Sequence, residues 1–233
     1  MNSVAEIAPL GDPGSAAPAA PAATLARRLK EETRHQHQAI EGVVPLLSPD
    51  LTLAGYCAHL QALLGFHAPI EEHLAVVLAP NADLFALPQR LRAAALTRDL
   101  AVLGAQALPG RCPIPPELGE AAAAVGCLYV LEGSTLGGQG IARHLQRHFG
   151  LQADSGAAFL SGHGEQTGPM WRRFQAALAR FIAEIPEPAQ EAAADAVVRG
   201  AQVTFSALHQ WLLVAGGSAP EMPSASETQP ADR

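Results

Sequence analysis

The sequence has little of what several classes of protein require. Its three cysteines, Cys57, Cys112 and Cys127, are odd in number and far apart, so they predict neither a disulfide framework nor a zinc site. Basic residues number 15 against 22 acidic ones, and the net charge of −7 argues against a surface that binds nucleic acid. Aromatic residues make up only 5% of the chain, whereas alanine and leucine abound, which favours helices.

The chain also lacks the pattern of an export signal, and we find no apolar run that we expect to span a bilayer. Three unpaired cysteines fit a reducing compartment. We therefore expect a soluble cytoplasmic protein. Its 233 residues suffice for one large domain or two small ones.

Composition divides the chain into three parts. Residues 1–23 are rich in alanine and proline and predict a disordered arm, and the polar residues 217–233 predict a flexible tail. Residues 24–216 predict a single all-α domain without a convincing strand. The predicted helices cover residues 24–44 with Thr24 as the N-cap, 52–78 with Gly65 and Pro69 kinking or dividing the helix, 88–103, 116–149 outside a glycine-rich middle, a segment around Trp171 closed by Pro186 and Pro188, and 189–215. Between the fourth and fifth of these, residues 150–168 predict a loop.

The most unusual stretch is residues 128–149, LYVLEGSTLGGQGIARHLQRHF. Its ends have helical spacing, but Gly133, Gly137, Gly138 and Gly140 stand where a buried helix normally carries alanine or leucine. Each glycine costs roughly 1 kcal/mol relative to alanine. A flat ligand against the backbone would offset that cost, and so would a loop between two helices or close helix–helix packing. Spacing alone leaves these alternatives open.

The first predicted helix carries two histidines on different faces. At about 100° per residue, His37 falls on the apolar stripe that contains Leu29 and Thr33, whereas His35 points roughly 160° away. A histidine on an apolar face is either a core residue or a ligand. Glu41, one turn later, either orients the imidazole or is an ordinary surface residue.

Two motifs together resemble a known family. YVLEGSTLGGQ, residues 129–139, is similar to the distal-helix signature of bacterial haem oxygenases, especially the subgroup associated with bacteriophytochromes. LKEETRHQHQAIE, residues 29–41, is similar to the proximal motif that carries the iron-ligating histidine. Two motifs roughly 90 residues apart and in the right order are more specific than either alone. The similarity covers about residues 24–215.

The resemblance implies a fold and a reaction. The fold would be a single-domain, all-α, haem oxygenase-like helical bundle with haem sandwiched between a proximal and a distal helix. Haem would be both substrate and cofactor. O₂ and electrons from an external reductant, such as ferredoxin or a flavin reductase, would open the ring and release biliverdin, CO and Fe²⁺. The subgroup further implies that the bilin can serve a bacteriophytochrome.

The resemblance also implies roles for single residues. His37 would ligate the iron, supported by Glu41, and Lys30 stands where the family binds a haem propionate. Arg143 and Arg180 are further candidates for the propionates. The catalytic distal surface would consist of Gly133, Ser134, Gly137 and Gly138. The resemblance implies that Ser134 replaces an aspartate that animal enzymes and some bacterial relatives have there to anchor the distal waters. A serine at this position agrees with the phytochrome-associated subgroup.

Two other functions remain open on the sequence. A haem carrier on the same fold would share His37 but would not turn haem over. A non-haem di-iron oxidase would use the i,i+4 pairs His37/Glu41 and His67/Glu71, although the paired Glu-x-x-His arrangement of di-iron bundles is missing.

Overall fold

The computed structural model of the protein describes residues 20–216, which form eight α-helices and no strand. The helices are α1 (Ala20–Glu32), α2 (Arg34–Val43), α3 (Leu53–Val77), α4 (Ala82–Phe85), α5 (Ala93–Val102), α6 (Ala121–Phe149), α7 (Thr167–Ala183) and α8 (Glu187–Gly216). Short 3-10 turns occur at Ala79–Asn81, Leu87–Gln89, Pro116–Gly119 and Gly164–Gln166. The predicted all-α class is confirmed. The predicted arm, except residues 20–23 in α1, and the predicted tail lie outside the described residues.

The first predicted helix is two helices. It begins at Ala20, so Thr24 lies inside α1 and is not its N-cap, and it is interrupted at Thr33. The Thr33 hydroxyl donates to the carbonyl oxygen of Leu29 at 2.6 Å, and the Thr33 backbone adopts φ −107° and ψ 2°. Threonine side chains that bond back to the preceding turn bend helices. This separates α1 from α2 one turn before His37.

Gly65 and Pro69 do not divide the predicted helix, because α3 runs without interruption through both. Pro69 has no N–H to donate to the carbonyl of Gly65, four residues earlier. The backbone N–H of Cys112 donates to that carbonyl at 2.8 Å instead. A side chain at Gly65 would collide with the ring of Trp211 and with the carbonyl oxygen of Gly110, so only glycine leaves room for these two neighbours.

Two other helices begin at different residues from those predicted. The α5 helix begins at Ala93, because Pro88 belongs to a 3-10 turn and the Glu71 carboxylate accepts the N–H groups of Arg92 and Ala93. The α8 helix begins at Glu187, so Pro188 opens this helix and does not close the previous one. Proline is tolerated in the first turn because its missing N–H has no partner there.

The α6 and α8 helices cross at the centre of the bundle with almost no space between their backbones. A Cβ on Gly126 would overlap the carbonyl oxygen of Val197, and a Cβ on Gly200 would overlap that of Ala123. The α6 helix is continuous from Ala121 to Phe149, which excludes a loop between two helices from the alternatives for its glycine-rich middle. By length and composition alone it could also cross a membrane, contrary to our expectation, but 61% of its apolar window is buried within the bundle.

Two charged side chains hold the loop between α6 and α7: Asp99 of α5, and Arg92, which immediately precedes α5. Both carboxylate oxygens of Asp99 accept backbone N–H groups, from Ala158 and Phe159, at 2.8 Å. Arg92 donates to the carbonyls of Ala158, Phe159 and Gly162. The loop therefore takes a defined path along α6, with one 3-10 turn at Gly164–Gln166.

Candidate active site

The α2 helix, with the residue before it, approaches α6 near both of its ends. At the first end the side chains of Thr33 and Tyr129 are buried and form a hydrogen bond. Burial raises the pKa of Tyr129 to about 12, and the hydrogen bond to Thr33 opposes part of that shift. At the other end, Val43 of α2 belongs to the same apolar cluster as Ile141 and Leu145 of α6.

We infer a cleft between α2 and α6 from two observations: α2 packs mainly on α8, and a Cβ on Gly137 or Gly140 of α6 would meet nothing within 4 Å. One helical turn beyond Thr33 stands His37, and one turn beyond Tyr129 stands Gly133. There α2 packs on α8 and not on α6, and the His37 side chain is 54% exposed. From Tyr129 to Ile141 the cleft follows α6 for about 18 Å.

Aromatic side chains form two walls of the cleft. The ring of Phe205, on α8, meets the His37 ring edge-on at 5.9 Å between centroids. The Trp171 ring, on α7, lies 5.6 Å from that of Tyr129, and its edge is 3.8 Å from where a Cβ on Gly133 would be. Sequence periodicity identified Trp171 and Phe205 only as helix-core residues. Nothing in their spacing distinguishes a core aromatic from one beside a ligand.

The glycines of α6 fall into two sets. Gly133, Gly137 and Gly140 lie within about 60° of one another around the helix, and a Cβ on Gly137 or Gly140 would meet nothing within 4 Å. We call these three residues the glycine stripe. Gly138 is turned about 140° from Gly133, and its Cβ would lie 2.7 Å from the carbonyl oxygen of Leu160. Gly138 therefore does not line the cleft as predicted, because it packs against the loop before α7.

His37 has one ring nitrogen occupied and one available. Its Nδ1 lies 3.4 Å from Oε1 of Glu41, one turn later on α2. A carboxylate at Nδ1 favours the tautomer in which Nε2 carries the free lone pair, the form that binds a metal. The predicted pairing of His37 with Glu41 is present, and both side chains are partly open to solvent.

Ser134 is exposed and lies about 100° around α6 from Gly133. Its hydroxyl donates to the carbonyl of Leu131 at 2.7 Å. The oxygen keeps its lone pairs, so it can accept a hydrogen bond from water.

The three predicted propionate cations lie in different surroundings. Lys30, the only lysine of the chain, is exposed near the end of α1, seven residues before His37 and on the other side of the interruption at Thr33. Arg143 is exposed near the end of α6. Arg180 does not reach the cleft, because it lies about 180° around α7 from Trp171 and pairs with Glu184 at 2.7 Å.

A flat apolar ligand with a metal at its centre fits these residues. In this interpretation His37 stands on one side of the cleft and the glycine stripe on the other, with Phe205 beside His37 and Trp171 beside Gly133. Within residues 20–216 no three side chains of the His, Cys, Asp or Glu type come together as a metal site, so the di-iron alternative has no support there. The fold and the cleft together define a helical protein of the class that encloses a planar tetrapyrrole between two helices.

Comparison with known proteins supports the same class of protein. The family model described as Heme oxygenase matches residues 23–213. A Heme oxygenase from Xanthomonas campestris pv. campestris is 35% identical over 155 residues, which is 66% of this chain and 84% of the relative. The chain therefore belongs to the haem oxygenase family.

Solved structures show the same fold. The NO- and CO-bound haem oxygenase of Neisseria meningitidis aligns with a TM-score of 0.70 at 26% identity, over 88% of this chain and 98% of that one. Haem oxygenase 2 of Chlamydomonas reinhardtii, solved without haem, aligns with a TM-score of 0.65 at 19% identity, over 81% of this chain and 96% of that one. The protein is an enzyme that binds haem and oxidatively cleaves its ring, and the predicted fold and activity are confirmed.

Proposed function

We propose that haem binds in the cleft between α2 and α6, with Nε2 of His37 as the iron ligand and the glycine stripe on the opposite face. The observation that supports this most directly is the open space beside Gly137 and Gly140. Helix packing explains Gly126, Gly138 and Gly200, but no packed neighbour explains the glycine stripe. A ligand that lies against the backbone gives those glycines a physical reason.

Bound haem supplies the iron at which O₂ is activated, and its own ring is oxidised to biliverdin with release of CO and Fe²⁺. The side chains of this protein then have simple tasks. His37 binds and Glu41 holds its imidazole in one tautomer and orientation. The glycine stripe keeps the far face free of acid and base groups, and Ser134 accepts a hydrogen bond from water at the rim in place of a carboxylate. Gly138 contributes by seating α6 against Leu160.

Lys30 is our candidate for a haem propionate, since it stands where the family binds a propionate and its side chain is exposed. Arg143 is the second candidate, at the other end of α6. We leave Arg180 out of the proposal, since it lies on the face of α7 opposite Trp171 and pairs with Glu184.

The electrons come from an external reductant, for which we propose a ferredoxin or a flavin reductase. We also propose a cytoplasmic location and membership of the bacteriophytochrome-associated subgroup. The support is Ser134 in place of the aspartate, within the run Glu132-Gly133-Ser134-Thr135. If the proposal is right, the product released in vitro will assemble with an apo-bacteriophytochrome and produce its red absorption band.

A haemin titration followed by reduction in air tests the activity and separates it from haem carriage. We expect a sharp Soret band at one equivalent of haemin. On addition of ascorbate, or of ferredoxin with its reductase, the band should decay while a broad red bilin absorption and CO appear. A stable haem complex that never converts would make the protein a carrier and would contradict the proposal.

Glu41→Gln tests whether Glu41 supports His37 as the iron ligand. Glutamine keeps the size of the side chain but loses the charge that faces Nδ1 of His37, so we expect haem affinity or turnover to fall by roughly 10-fold or more. Stopped-flow haem transfer and bilin formation measure the two effects. Glu31→Gln is the matched control, because Glu31 is an exposed glutamate of α1 that pairs with Arg27 and lies outside the proposed site. Equal behaviour of the two variants would mean that Glu41 is an ordinary surface residue.

A further inference from the structure

Glu132 is a buried carboxylate that neither motif assigns to a role. It immediately precedes Gly133 on α6, and its side chain is 0% exposed. Its Oε1 is in ion-pair contact with Nη1 of Arg90, although the two groups are not aligned as a hydrogen bond. The only hint in the sequence is a charged residue directly after the apolar run Cys127–Leu131, which predicts a buried ion pair.

Arg90 joins two walls of the cleft. Its Nε donates to the carbonyl of Phe85 at 2.6 Å, and both Nη atoms reach the carbonyl of Met170 at 3.2 and 3.3 Å. Met170 immediately precedes Trp171, as Glu132 immediately precedes Gly133. The Arg90 guanidinium, 1% exposed, therefore connects Glu132, which precedes Gly133, with Met170, which precedes Trp171.

His163 adds a contact from a third element. Its Nε2 lies 3.4 Å from Oε2 of Glu132, and its side chain is 10% exposed. The loop that carries it also packs Leu160 against Gly138 of α6. Both oxygens of Glu132 are thus engaged, one from the α4–α5 region and one from the loop before α7.

A buried ion pair is seldom the most stabilising choice, since removing two charges from water costs about as much as their attraction returns. Its benefit is that the partners have a defined geometry, whereas apolar side chains in the same place can slide. The Glu132–Arg90 pair lies where a shift of α6 would move the glycine stripe relative to Trp171. Its position is thus suited to controlling that distance.

We propose that Glu132, Arg90 and His163 are positioning residues, which fix the height of the glycine stripe over the haem face and so determine which meso carbon is attacked and how efficiently. This inference rests on the proposed binding of haem in the α2–α6 cleft. The three side chains act through the α6 backbone and do not touch the ligand.

The test compares Glu132→Gln with Asp99→Asn. Both replace a carboxylate, about 1% exposed as a residue, by its amide, but the partners of Asp99 are backbone N–H groups of the loop and not α6. In the haem-free protein we expect Glu132→Gln to speed hydrogen exchange in residues 133–140, and Asp99→Asn to speed it in residues 156–160. In the haem complex we expect Glu132→Gln to broaden or split the C–O stretching band of the ferrous CO form.

Turnover supplies a second readout. Glu132→Gln should lower kcat by about 10-fold, the lower end of the loss expected for an outer partner of a metal site, and give a mixture of biliverdin isomers. Its haem affinity should change little, because His37 is untouched. Asp99→Asn should leave the isomer ratio and the CO band as in the wild type.

The proposal is overturned if Asp99→Asn shifts the CO band or the isomers as much as Glu132→Gln, since both effects would then be general loosening. It is also overturned if Glu132→Gln leaves them unchanged. Should Glu132→Gln fail to fold, Arg90→Lys keeps the charge but cannot reach both carbonyls, and it must give the same signature. A wild-type protein without a Soret band would defeat the haem site itself, which separates that failure from this one.

Discussion

His37→Ala should remove the haem ligand and abolish turnover. Alanine leaves the Phe205 ring and the glycine stripe in place but offers no nitrogen to the iron, so the Soret band should weaken and shift. Bilin formation should fall by more than about 100-fold, the upper end of what loss of a ligand's supporting partner costs. Folding should hardly change, because the side chain is 54% exposed and its removal opens no cavity in the core. Haemin titration, bilin absorption and thermal unfolding measure the three quantities.

His35→Ala is the matched control, since it removes the same side chain from an exposed position two residues away on α2. It should bind and convert haem as the wild type does. Added imidazole should restore part of the spectrum to His37→Ala, because a free ligand can occupy the space left by the ring. If His35→Ala is the inactive variant, or if both variants remain active, our assignment of the ligand is wrong.

Gly126→Ala and Gly137→Ala should have opposite effects on stability. The Cβ that Gly126→Ala introduces would overlap the backbone of α8 at Val197, and neither helix can yield without moving the centre of the bundle. We expect a loss of roughly 3 kcal/mol or more, at the top of the range for overpacking, and a fall in Tm of about 6 to 12 °C. At Gly137 a Cβ meets nothing within 4 Å, so the better helix propensity of alanine should raise Tm by about 2 to 4 °C.

Activity should follow a different order. Gly137→Ala places a methyl group where we propose that the haem face lies, and a displacement of about 1 Å at a reacting centre costs up to roughly 100-fold in rate. A variant that is more stable without haem but slower with it is the expected signature of a glycine kept for its ligand. If Gly137→Ala instead keeps full activity, the open space beside the glycine stripe has no bearing on haem, and the proposed binding mode fails.

These paired variants also explain why the glycine pattern was ambiguous. In the sequence, the two alternatives of ligand contact and helix packing compete for one set of residues. In the structure both occur on one helix. Gly137 and Gly140 face open space and Gly133 lies in ordinary contact with Trp171, whereas Gly126 and Gly138 face backbone carbonyls. A glycine has no side chain to indicate a preference, so only its neighbours across space distinguish the two roles.

Local pattern was sufficient for most of the helices. The apolar stripes around Trp171 and Phe205 predicted α7 and α8 because amphipathic periodicity is a property of the segment itself. Where prediction failed, a partner distant in sequence was responsible. Cys112 supplies the hydrogen bond that Pro69 cannot make, so α3 continues, and Glu71 caps the N–H groups of Arg92 and Ala93, so α5 begins late.

The sequence by itself determined the all-α class, the family, the reaction and the pair His37 and Glu41, because a motif and a helical period are both short-range information. Tertiary structure decided which glycines are free, that Arg180 lies away from the cleft, and that Arg90 and His163 converge on Glu132. Arg90 and His163 are 42 and 31 positions from Glu132 in the sequence, and Arg180 is placed by the face of α7 on which it lies. Contacts at such separations are set by how the helices pack, which no local pattern of residues records.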